Sequence, residues 1–247
     1  MKNTYCLSTN LLNMSLNDLL IVLLVVFFSV PLKAQQLPTP IQYISQENNS
    51  FIFLRNGETL EGIITETQTL EGYFNGLEII TKDGEVHDLL AIEVKCMYLP
   101  TMNSNLPIGP VNSHHWDPEY KEYMIDKNFI DNGYAFLESI EAEILDKEVM
   151  VFMQLLNPAT EWGIKIYEDP LINIPLSIIK TSRAMRNNTD SYYVKKGNTS
   201  PQLIEISEYE TQFHDLWGAC YLVVENYPTI IWQDLLKHME DFANCAQ

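Results

Sequence analysis

The sequence predicts an α+β protein: a small five-stranded antiparallel barrel, then an antiparallel β region, then two C-terminal helices. Three observations lead there. Between Phe51 and Pro100, short apolar runs recur at near-regular spacing, with tight-turn pairs between them. Between Tyr134 and Ile206, further strand-like runs follow. Past Ser207 the apolar spacing changes from a period of two to that of a helix.

The first run, Phe51–Arg55, ends at Asn56-Gly57, where both residues tolerate positive φ. Thr59–Thr65 alternates, and Gly62 inside it signals a bend or a close backbone approach. Leu77–Thr81 forms a third strand, Asp83-Gly84 turns, and Glu85–Leu90 returns. In Ile92–Tyr98, strict alternation puts Ile92, Val94, Cys96 and Tyr98 on one face. Residues 101–127 hold a Pro-rich linker and a short helix started by Asp117-Pro118 and reaching about Lys127. Residues 128–247 form the second region. Its strands are expected at Tyr134–Ala142, Val149–Leu156, Trp162–Tyr167, Ser191–Lys196 and Leu203–Ile206. Ser207 and Glu210 have capping-box spacing. Tyr209, Phe213, Leu216, Trp217 and Cys220 follow at helical spacing, and a second helix carries Trp232, Leu235, Leu236, Met239, Phe242 and Ala243 on one stripe.

The N-terminus carries an export signal. Leu19–Val30 is apolar except at Ser29, far short of the ~20 residues a membrane span needs. Pro31 ends the run, and cleavage is expected after Ala34. Residues 1–34 are then the signal peptide, residues 35–50 a mobile polar lead-in, and residues 51–100 the barrel domain. No transmembrane segment is expected in the mature chain. Export makes a periplasmic, outer-surface or secreted protein.

Charge narrows the partners. The chain has 15 Lys and Arg against 33 Asp and Glu, a net charge of −18. Such a chain repels phosphate backbones, so nucleic acid is not an expected partner. Residues that known mechanisms require are also missing. There is no G-x-S-x-G, no H-E-x-x-H, no C-x-x-C and no phosphate-cradling glycine loop. Asp126-x-Asn128 with Gly133 and Glu138 misses the calcium-loop spacing and reads as a turn into a strand. His114-His115-Trp116-Asp117 is the nearest approach to a metal site, yet adjacent strand residues point to opposite faces. No catalytic residue, metal or cofactor is therefore expected. His114, His115 and Trp116, at the tip of the Pro-rich loop, are the expected binding residues, because tryptophan is common at hot spots.

Cys96, Cys220 and Cys245 follow the signal, an odd number, so one bridge and one thiol are expected. Cys220 with Cys245 is the tempting pair. In a straight helical hairpin turning at Asn226, they would sit ~9 Å and ~28 Å from the turn at 1.5 Å per residue. A disulfide needs Cα atoms within ~7 Å, so that pairing requires the first helix to break near Gly218.

Leu54-x-Asn56-Gly57-x-x-Leu60-x-Gly62 is similar to the first motif of the Sm-like and SH3-like small barrels. The resemblance implies a barrel fold. Glu66–Leu70 and Cys96–Leu99 stand where those proteins carry their RNA-contacting residues, and supply none of them. From Phe51 to Cys245 the chain also resembles uncharacterised exported proteins of Bacteroidota-type bacteria. That likeness rests on Leu155-Leu156-Asn157-Pro158, Ile166-Tyr167-Glu168-Asp169-Pro170 and Ser191-Tyr192-Tyr193-Val194-Lys195-Lys196-Gly197, among others. It implies an envelope or extracellular location and no activity. The functional expectation is a non-enzymatic binding or structural protein with a protein or surface partner. The alternative is a hydrolase of an extracellular polymer acting through two carboxylates.

Overall fold

The computed structural model describes residues 37, 44–70, 72–101, 125–144, 147–158, 163–169 and 191–245. The expected signal peptide, the expected binding residues His114, His115 and Trp116, and the expected helix start at Asp117-Pro118 lie outside the described residues. The fold is α+β. Its strands are β1 (Ser50–Leu54), β2 (Thr59–Leu70), β3 (Tyr73–Thr81), β4 (Val86–Leu90), β5 (Val94–Pro100), β6 (Tyr134–Ile144), β7 (Lys147–Gln154), β8 (Ile164–Glu168), β9 (Ser191–Lys196) and β10 (Gln202–Glu205). Its helices are α1 (Lys127–Asp131), α2 (Tyr209–Trp217), α3 (Tyr221–Asn226) and α4 (Leu235–Cys245).

The expected five-stranded barrel does not close. β1 to β5 pair in the order β4-β3-β2-β1-β5, but the sheet runs on through β6 and β7. The reason lies in the outer edge of β5. Closure would need that edge to pair with β4. Instead β6 takes it, with Cys96 opposite Glu138 and Pro100 opposite Tyr134. The result is a curled seven-stranded antiparallel sheet. β3 faces β7 across its interior, where the rings of Phe74 and Phe152 lie 4.8 Å apart.

Two corrections are local. The alternation expected in Ile92–Tyr98 breaks at Lys95. Leu54 pairs with Val94 while its neighbour Phe53 pairs with Cys96, so the extra residue makes a bulge. Val94 therefore faces the sheet interior and Cys96 the opposite face, while Ile92 stays 64% exposed before the strand begins. The capping box at Ser207 does not form either. Residues Ile206–Glu208 wind as a 3₁₀ turn, and α2 starts one turn later without a side-chain cap. The turn expected at Asp126 is a short helix instead. The Asp126 side chain caps α1 by accepting from the Asn128 amide, and Gly133 at φ 82° leads into β6.

Layering follows from which strands are apolar on both faces. β1, β5, β6 and β7 alternate between two buried clusters: Ile52, Met97, Leu137 and Phe152 point into the curl, and Phe51, Tyr98, Phe136 and Met153 point outward. Part of the outward cluster is capped by the sheet β10-β9-β8, whose Tyr167 and Tyr193 pack into it. The chain crosses between sheets at Leu155, which bridges to Tyr167. Asn157 fixes that crossing: its side chain accepts from the Ile166 amide and donates to the Ile164 carbonyl, both at 2.8 Å. The other face of the small sheet, with Ile164, Ile166, Val194 and Ile204, packs on the helices around Trp217 and Met239.

α2 ends at Trp217, with Gly218 as its C-cap, and Cys220 is the N-cap of the separate α3. That break turns Cys220 toward the last turn of α4. Cys220 and Cys245 are joined by a disulfide with Cα atoms 5.9 Å apart.

Candidate functional site: an acidic and apolar sheet face

β2, β3 and β4 differ from the other strands of the large sheet. Their inner side chains Leu60, Ile64, Leu77, Ile79 and Leu89 are buried, while the outer face carries exposed residues. Pairing registers arrange that face in rows. Ile63 stands opposite Ile80, and Ile80 opposite Val86, making an apolar row across three strands. Ile80 is 38% and Val86 58% exposed. The next outward row is Glu66, Glu78 and Asp88. A bulge between Ile64 and Glu66 brings Glu66 into it. Carboxylates directly opposite one another across a ladder repel. Among the described residues, the Thr65 hydroxyl donates to Glu78, and no cation is ion-paired with this row.

The edge of β4 adds a second kind of group. Thr81 N–H donates to Glu85 at 2.9 Å, and Ala91 N–H donates to Asn75 at 2.7 Å. Antiparallel pairing then directs the backbone groups of the odd-numbered residues toward β3. Those of Val86, Asp88 and Leu90 point away from the sheet. Leu90 is closed off locally. Its N–H donates to the Glu93 carboxylate at 2.8 Å, and its carbonyl accepts from the Glu93 N–H at 2.9 Å. Val86 and Asp88 keep outward N–H and C=O groups with no partner among the described residues.

Three buried polar groups lie elsewhere. Between the two sheets, Glu138 accepts from Lys165 Nζ at 2.7 Å and from the Tyr167 hydroxyl. Burial and the Glu138 charge both push Tyr167 above its ordinary range. Cys96 stands opposite Glu138. Burial, then Glu138, holds its thiol protonated and far above the usual value, so it is a poor nucleophile. At the end of β8, burial and the neighbouring Asp169 charge raise Glu168 to about 9, while Ser191 Oγ donates to Asp169 at 2.7 Å. In the helical layer, Trp217 Nε1 donates to the Tyr209 hydroxyl at 2.9 Å, and that hydroxyl is hydrogen-bonded to His238 Nδ1 at 2.7 Å. His238 Nε2 has no hydrogen-bond partner among the described residues, and the ring is walled by Phe213 and Tyr227. Burial lowers His238 to about 4.

Of the residues singled out from sequence, Cys220 and Cys245 are bonded to one another, and Cys96 is buried and unbridged. His114, His115 and Trp116 are outside the described residues. The rows on β2–β4 were missed. Alternation in Thr59–Thr65 and Glu85–Leu90 marks which residues face out, but only the register aligns Ile63 with Ile80 and Val86. No helix among the described residues is long and apolar enough to cross a membrane. Comparison with protein families, curated proteins and solved structures gave no match to this chain.

Proposed function

We propose that the protein is exported and acts by binding a partner, not by catalysis, with the outer face of β2–β4 as its contact surface. The observation that carries this reading is the pair of registered rows, apolar beside acidic, at positions that no other described element covers. Exposed apolar side chains in contiguous array are what interfaces use. The acidic row adds charge selectivity, favouring basic partners and repelling acidic ones. The apolar run Leu19–Val30 supports export, and intact mass of secreted material beginning at Gln35 or Gln36 would test it.

The test of the binding reading compares wild type with an Ile80→Thr, Val86→Thr double variant, two exposed positions that keep a β-branched residue. Both are made as exported chains and used to capture proteins from envelope fractions. The expected result is loss of capture at unchanged melting temperature. Equal capture by both would reject this face.

A second reading, a hydrolase working through two carboxylates, draws on Glu168, held protonated beside Asp169. Consecutive residues at a strand end project to opposite sides, which disfavours convergence on one bond. Turnover of an extracellular polymer, abolished by Glu168→Gln with the fold intact, would promote this reading over binding.

A further inference from the structure

We infer that the partner adds a β-strand to the free edge of β4, and that the added strand alternates an apolar residue with a Lys or Arg. This rests on the binding reading above and names the partner's chemistry and mode. Three observations point the same way. First, Val86 and Asp88 hold outward N–H and C=O groups with no partner among the described residues, the backbone pattern that strand addition uses. The edge is short and Glu93 closes its end, but its middle is open. It has no proline and no lysine, and Val86 is 58% exposed on it.

Second, the side-chain rows dictate what the incoming strand carries. A strand paired to β4 places its outward residues at the ends of existing rows. One falls beside Val86 and extends Ile63–Ile80–Val86, where an apolar side chain fits. The other, two positions away, falls beside Asp88 and extends Glu66–Glu78–Asp88, where a cation relieves the carboxylate row. Third, the addition has a defined end. Glu93 already occupies both outward groups of Leu90, so pairing stops there and its register is set.

Charge decides between a foreign strand and a second copy. Two β4 edges meeting antiparallel through these groups would set Asp88 of each opposite Val86 of the other, so each acidic row would gain an apolar neighbour and no cation, on chains that each carry −18. A basic segment of another protein meets the opposite condition.

The probe is a capped synthetic peptide of alternating Val and Lys, titrated against the protein purified as cells export it. A matched peptide is N-methylated at alternate residues, which removes strand-pairing donors and preserves charge and composition. Expected are saturable binding of the first peptide and at least tenfold weaker binding of the second. The Val86 and Asp88 amides should also slow in hydrogen exchange only with the first. Val86→Pro should weaken binding at least tenfold without lowering the melting temperature, because the Val86 N–H does not serve the β3 ladder. Equal binding of both peptides with a silent Val86→Pro would overturn strand addition and leave the outer face as the contact surface. Absence of any binding would overturn the basic alternating partner. A dimer dissociated by Val86→Pro would hand the edge to a second copy and overturn the assignment.

Discussion

The large sheet contains two kinds of strand. β1, β5, the first part of β6 and the last part of β7 are buried on both faces, so they read as nearly continuous apolar runs such as Phe51–Leu54, Tyr134–Leu137 and Val151–Met153. β2, β3 after Phe74, and β4 are buried on one face only, and charge appears at the positions between. The first group is a wall between two cores. The second has one side to give away. The difference teaches that a strand's position in a sheet sets what its free face can do, and that recognition is available only where no second layer is needed for stability.

Substitutions can break or sharpen this contrast. The largest effect is expected in the wall. Phe136 is 1% exposed and its ring lies 5.0 Å from Tyr98, so Phe136→Ala should cost about 3–5 kcal/mol, read by urea unfolding. Next comes the bridge. Replacing Cys220 and Cys245 together with Ser removes a link across 25 positions, and a loss of about 3 kcal/mol is expected. Hydrogen exchange should show the loss concentrated in α3 and α4. Gly62→Ala tests the junction of the two groups. An added Cβ would meet the Ile80 carbonyl oxygen at 2.1 Å, so β2 and β3 must separate, at about 1–3 kcal/mol. That substitution should also weaken partner binding, because it disturbs both rows.

A smaller effect depends on pH. His238 has a folded value of about 4 against an ordinary 6.5, so the unfolded chain binds more protons between them. Its contribution is full above pH 6.5, falls as pH drops toward 4, and levels off below. Asp234 and Asp241 oppose the shift and Lys237 adds to it. Glu168 acts with the opposite sign. Its raised value gives stability that is present below about 4.5 and lost toward 9. Melting curves of wild type and His238→Phe across pH 4–7 separate the two, since the variant should lose only the His238 slope. The smallest effect is on the outer face. Ile80→Ser should change stability by about 0.5 kcal/mol or less, as for other exposed positions, while partner capture falls. A loss of several kcal/mol there would erase the contrast.

Local signals made the strands legible. Asn56-Gly57 and Asp83-Gly84 marked turns, both with a positive-φ glycine, and Ser191–Lys196 was bounded as observed. The helical break needed for a Cys220–Cys245 bridge was visible in Gly218. Closure was not legible, because the choice between β4 and β6 for the edge of β5 depends on residues far apart in the chain. The bulge at Lys95 was hidden for a similar reason, since the mismatch exists only relative to β1. The contact face shared this limit. Ile63, Glu66, Glu78, Ile80, Val86 and Asp88 look like ordinary alternation until pairing lines them up.

The seam between β1 and β5 has a consequence for a chain that emerges from a membrane N-terminus first. β1 to β4 form a simple meander, each strand pairing with the one before it. They can assemble as they appear. β1 then waits with Phe51 and Ile52 on a bare edge until residues 94–100 arrive to pair with it. During that interval the half-built sheet has two open sides, one of them lined with its most apolar strand. The delay before residues 94–100 arrive therefore sets how long such a chain is exposed to aggregation, and a chaperone would act at β1 first.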